Sequence, residues 1–173
     1  MQQRVTTTNE GQHSRAGTAG VHVGSRGAFE QRLKKDGILG ALSLLNDRTR
    51  FRFTGLYRAV PPALHNVALF DRENPALNVS GAVCALEDTY CALVCASGEA
   101  IGIDDSRDDT RLAQHPKRDA ILSYTGVPVR EPGGRVLGSL CHFDGRPRLL
   151  PASELAFFAS VAPLLARWLV ADS

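Results

Sequence analysis

The chain has 173 residues, of which 43% are hydrophobic and 22% charged, with a net charge of +2. That is about one soluble globular domain, with too little charge for a nucleic-acid footprint. No apolar run nears the roughly 18 residues that a membrane span requires, so neither nucleic acid nor membrane is an expected partner.

Residues 1–27 are rich in Gln, Thr, Ser, Gly and Arg. Such a stretch buries too little apolar surface to offset the entropy of ordering, which predicts a disordered tail. Arg4, Arg15 and Arg26 against Glu10 carry the whole net charge, so residues 28–173, read as one domain, are formally neutral. Phe29, Leu33, Ile38, Leu42 and Leu45 recur at helical spacing and predict a helix from Ala28 to about Asn46. Gly37 and Gly40 weaken that helix by about 1 kcal/mol each relative to alanine.

"RFRFTGLYRAV" alternates, with a slip expected at Gly55, and predicts a strand that Pro61-Pro62 breaks. "LHNVALFDRE" is its hairpin partner, and a polar stretch with Pro75 follows. Asp88 or Thr89 is expected to cap a short helix over Tyr90–Ala96 that stops at Gly98. "AIGIDDS" gives a third strand, with Ile101 and Ile103 on one face. A polar crossover leads to two closing strands, "SYTGVPVRE" and "RVLGSLCHFD", joined at Pro132-Gly133-Gly134. In the last strand, alternation puts Leu137, Ser139, Cys141 and Phe143 on one face, with Val136, Leu140 and His142 on the other.

A final helix is expected from about Glu154 to Val170, capped by Ser153 and kinked at Pro163. Leu155, Phe158, Ala162, Leu165 and Leu169 form one apolar stripe; Phe157, Val161, Leu164 and Trp168 form a second. Two apolar stripes predict two buried faces, the second against another copy of the chain, hence a homodimer. The element order describes an α+β fold with helices mainly on one face of the sheet.

The four cysteines are Cys84, Cys91, Cys95 and Cys141. The chain shows no apolar signal segment and is long enough to build its own core, so reduced thiols in a cytoplasmic protein are expected. Their spacings lack the two-residue knuckle of a zinc site, and no metal is expected. Cys91 and Cys95 share a helical face and are the candidates for a redox role. Cys141 is expected to act as a small packed hydrophobe.

The second half resembles the GAF domain family. Tyr124-Thr125-Gly126-Val127-Pro128-Val129 is similar to the family's "Y-x-G-V-P-L". After a turn, Gly133 to Cys141 with Asp144 is similar to its "G-x-x-x-G-x-L-C-x-x-D". The resemblance covers about residues 28–172 and is strongest after Thr89. It implies a central antiparallel sheet, terminal helices on one face, a small-molecule pocket on the other, and frequent dimerisation through the terminal helices. Cys141-His142 is similar to the chromophore-attaching pair of bilin-binding members, but that pair is helical in the family, whereas these two neighbours diverge across a strand. The "G-V-C-G" and "H-I-A-C-D" segments of the free methionine-(R)-sulfoxide reductases are missing, as is the "N-K-F-D-E" of cyclic-nucleotide binders.

The expectation is therefore a stand-alone sensory or regulatory domain, not an enzyme and with no catalytic residues. It would bind a small molecule and signal through a separate output protein. The alternative is a redox- or metal-responsive cysteine protein on the same fold. The pocket is expected between the sheet and Tyr90–Asp109. Phe53, Phe70, Tyr90 and Tyr124 would wall it, and Asp104, Asp105 and His142 would orient a ligand. The sequence names no cofactor.

Overall fold

The computed structural model describes residues 25–170, so most of the expected tail lies outside the described residues. Helix α1 spans Arg26–Asp47 and starts two residues earlier than its apolar spacing suggests, because the Ser25 hydroxyl accepts from the Ala28 amide and caps it. It is two helices in sequence, since Gly37 breaks it with φ 68° and ψ −164°.

Six strands form one antiparallel sheet in the order β3-β2-β1-β6-β5-β4. They are β1 Phe53–Val60, β2 Ala63–Asp71, β3 Val83–Ala85, β4 Ile101–Ile103, β5 Ser123–Arg130 and β6 Val136–Asp144. Strand β3 corrects the sequence reading, which left this stretch outside the sheet. Its three residues are all exposed and carry no alternation; pairing with β2 alone makes them a strand. The slip in the first hairpin falls between Leu56 and Tyr57 rather than at Gly55, with Val67 as the extra residue on β2.

Helix α2 spans Cys91–Ser97 without a side-chain cap, and Gly98 ends it at φ 69°. Helix α3 is shorter than expected, Ala152–Val161, and continues as a 3₁₀ helix over Ala162–Trp168, where Pro163 can supply no amide. Pro151, not Ser153, occupies its cap position.

The sheet is covered on both faces. Against the terminal helices, Leu56, Ala68, Val127 and Leu140 meet Phe29, Leu42, Leu45, Phe158, Val161 and Leu165. On the other face, Leu64, Tyr124 and Cys141 meet Tyr90, Cys91, Val94 and Leu112. Leu137 joins the terminal-helix core, contrary to simple alternation: Val136 pairs with Arg130 while Gly138 pairs with Val129, leaving Leu137 as a bulge. The second apolar stripe is less available than its sequence suggests. Val161 is fully buried within the chain, and Arg48 lies 4.1 Å over the Phe157 ring.

A buried polar chain ties this core to the sheet. Asn46 Nδ2 donates to Thr54 Oγ1 at 2.8 Å, and Thr54 Oγ1 lies 2.8 Å from His142 Nδ1. The Thr54 hydroxyl thus links the Asn46 amide to the imidazole within the core. The imidazole is stacked between Phe51 at 5.6 Å and Phe158 at 4.2 Å. Burial and the Arg72 guanidinium push its pKa down to about 3.

Candidate functional site

Between the sheet and α2, the central row of residues is Gly55–Cys141–Gly126, paired across β1, β6 and β5. A Cβ at Gly55 would overlap the Tyr57 ring, and one at Gly126 would overlap the Tyr124 hydroxyl. The two glycines thus let two tyrosine rings lie flat on the sheet. Tyr90 meets Tyr124 edge-on at 5.6 Å, stacks obliquely on His115 at 4.6 Å, and donates to the Ile121 carbonyl at 3.1 Å. These rings, with Val94 and Leu112, occupy the space between the sheet and Tyr90–Asp109.

The residues proposed from sequence do not converge. Tyr90 and Tyr124 lie together on the α2 face, as packed side chains. Phe53 stacks on Phe143 at 4.8 Å at the far end of that face. Phe70 and His142 lie on the opposite face, packed against the terminal helices, and so cannot share a pocket with Tyr124. Asp104 and Asp105 lie beyond β4 on a separate acidic depression with Asp108 and Asp109. Asp105 is bound by Arg107 at 2.5 Å, which lowers its pKa to about 2; Asp109 is bound by Arg111, also at 2.5 Å. Each of these two carboxylates is already paired by its own neighbour.

An apolar groove of about 740 Å³ lies open beside α2. One wall is Ala92, Cys95 and Ala96 on α2. The other is the β1–β2 turn, Pro61 to Ala63, with edge strand β3 and Leu86 behind it. Cys84 and Cys95 bring two thiols to the lining, Glu87 is its one charged side chain, and no Lys or Arg lines it. Of the residues proposed from sequence, Cys95 alone lines this groove. The others had no motif to mark them: prolines and alanines from three separate segments become neighbours only through the topology.

Cys91 and Cys95 sit one helical turn apart but part company. Cys91 points into the core and Cys95 into the groove. The Cys141 thiol beside it, with the Tyr124 hydroxyl that donates to it at 3.5 Å, pulls Cys91 down to about 7. Burial pushes Cys141 well up, and burial beside Cys91 raises Cys95 to about 11. Among the described residues, no group of three His, Cys, Asp or Glu is placed to hold a metal ion. In the native protein a small thiol reagent should label Cys84 first, Cys95 slowly, and Cys91 and Cys141 only on unfolding, because exposure falls in that order. Peptide mapping after timed labelling checks this; early modification of Cys141 would contradict the packing described.

The sequence profile of the GAF domain matches residues 38–168. No curated protein sequence matches the chain. Among solved structures, it is similar to the GAF domain of an Acinetobacter phosphoenolpyruvate-protein phosphotransferase, with TM-score 0.66 and 16% identity over 83% of this chain and 89% of that one. It is also similar to the free methionine-R-sulfoxide reductase of Neisseria meningitidis in complex with its substrate, with TM-score 0.64 and 12% identity over 83% and 85%. The chromophore-binding domain of an unusual bacteriophytochrome from R. palustris superposes with TM-score 0.62 and 12% identity, over 82% of this chain and 58% of that one. At these identities the likeness is one of fold.

Proposed function

Because this chain belongs to the GAF domain family, we propose that it is a non-catalytic sensory domain that binds a small apolar molecule and hands the signal to a partner. The observation that carries this reading is the groove beside α2. Its volume of about 740 Å³ lies in the range typical of small-molecule sites, and its walls are apolar with a few polar groups. Without a lining cation it suits a neutral or cationic apolar ligand better than a phosphate. The groove thiols support a non-catalytic role. Burial holds both above the ordinary thiol range, and a protonated thiol is a poor nucleophile near neutrality. Four free cysteines fit a reducing, cytoplasmic setting.

Ligand bound at 100 times its Kd stabilises the native state by roughly 2.7 kcal/mol. For a domain of this size that is about 5–10 °C in Tm. A thermal-shift screen should therefore give a saturable hit among apolar metabolites and none among nucleotides. A hit confined to nucleotides would overturn the ligand class. A screen without any hit would leave the fold serving interaction alone.

A further inference from the structure

Strand β3 ends the sheet order, and among the described residues no strand lies on its outer side. Asn66 N donates to the Ala82 carbonyl at 2.8 Å, and Leu86 N donates to the Pro62 carbonyl at 2.9 Å. Antiparallel bonding alternates, so Ala82, Cys84 and Leu86 turn their backbone groups to β2, while Val83 and Ala85 turn theirs outward. All of β3 is exposed, Val83 by 58%.

An open strand edge is a template for another strand, and folded proteins blunt it with charge, proline or a covering segment. The opposite edge of this sheet is blunted. Strand β4 has Gly102 at its centre, Asp104 and Asp105 follow it, and the Asp104 carbonyl accepts from Arg148 N at 3.1 Å. The stretch Asn78–Leu86 around β3 holds neither charge nor proline.

The β3 edge is also complementary to itself. Turned about a two-fold axis at Cys84, Val83 of each copy lies opposite Ala85 of the other, and each such pair exchanges both backbone hydrogen bonds. Cys84 then faces its own copy in the non-bonded register, with Cα atoms about 4.5 Å apart. The charged side chains acting on the Cys84 thiol are Lys117 and Asp88. Both are exposed and they are opposite in sign, so each copy offers the other unlike charge about the axis.

We propose that β3 pairs edge to edge with β3 of a second copy, joining two sheets into one across a two-fold axis at Cys84. Three strand residues a side are far fewer than the roughly 20–30 of a standard interface, so the pairing is weak and concentration-dependent. It uses no residue of the terminal helices and does not depend on what the groove binds.

The test is amide solvent exchange, followed by NMR on the full-length chain kept reduced, at about 20 μM and about 1 mM. At the higher concentration the Val83 and Ala85 amides should slow by about threefold or more, and the Cys84 amide, which faces β2, should hold its rate. Val83→Pro removes an outward N–H without touching the ladder to β2, so in it Ala85 should keep its dilute rate at both concentrations. Cys84 stays exposed in that variant, and its Cα spacing across the proposed axis suits a disulfide. The yield of disulfide-linked dimer under mild oxidation should therefore fall about fivefold from wild type. Should Val83→Pro fail to fold, Ala85→Lys takes its place, since a lysine blunts the same edge. Equal rates at both concentrations would overturn the proposal, whether the two amides are fast throughout or protected throughout by cover from within one chain. Slowing that survives the edge variant, or cross-linking equal to wild type, would overturn it too.

Discussion

Between pH 7.5 and pH 4.5 the domain should lose about 3 kcal/mol of stability through His142. Burial and Arg72 hold the folded imidazole at a pKa of about 3, against 6.5 in the unfolded chain. A histidine with its folded pKa depressed contributes full stability above pH 6.5. Below that the unfolded chain takes up a proton that the native one refuses, so stability falls until the pH reaches the folded value. Each pH unit in this window is worth about 1.4 kcal/mol, or roughly 4 kcal/mol by pH 3. A domain stable by about 5–15 kcal/mol has little margin against that. The carboxylates Asp71 and Asp109, lowered by Arg52 and Arg111, add to the loss only below their ordinary value of 3.8. Urea titrations at pH 7.5, 6, 5 and 4.5 isolate the histidine. His142→Phe should flatten the slope while keeping the aromatic stack; an equally steep slope in that variant would assign the acid sensitivity elsewhere.

Gly138→Ala should cost about 3 kcal/mol or more. Gly138 is buried in β6, between Arg58 of β1 and Val129 of β5. A Cβ there would overlap the Tyr57 carbonyl oxygen and press on the Arg58 Cα. Overpacking against a side chain can be relieved by a rotamer change, typically at 1–3 kcal/mol. Here the obstacle is the backbone of a central strand, which moves only by giving up its ladder. Gly102→Ala is the control: β4 is also a strand, but a Cβ there meets nothing within 4 Å. A loss under 1 kcal/mol at Gly138 would show that β1 and β6 tolerate separation at this point.

How much of this was written in the sequence depends on what each segment is packed against. The closing hairpin was legible, since Pro132-Gly133-Gly134 needs the positive φ that Gly134 adopts at 90°. The opposition of Cys141 and His142 followed from strand alternation. Which face would carry the terminal helices did not, because both faces of the sheet are apolar and alternation only separates them. That ambiguity placed His142 and Phe70 in a pocket with Tyr124, from which the sheet divides them. The bulge at Leu137 and the slip at Tyr57 are settled by pairing between strands, which no single segment encodes. Strand β3 has no pattern of its own. The groove is less legible still, since Pro61, Ala85 and Ala92 become neighbours only in the folded chain.

The groove beside α2 is the proposed ligand site. The most direct measurement follows backbone amide shifts while titrating an apolar thermal-shift hit into the wild-type chain and into Ala92→Trp, whose indole would fill the groove. Saturable shifts should cluster at Ala63, Val83–Leu86 and Ala92–Ala96, and should vanish in Ala92→Trp while its Tm stays close to wild type. Shifts centred instead on the tyrosines under α2 or on the terminal helices, unaffected by Ala92→Trp, would contradict the assignment.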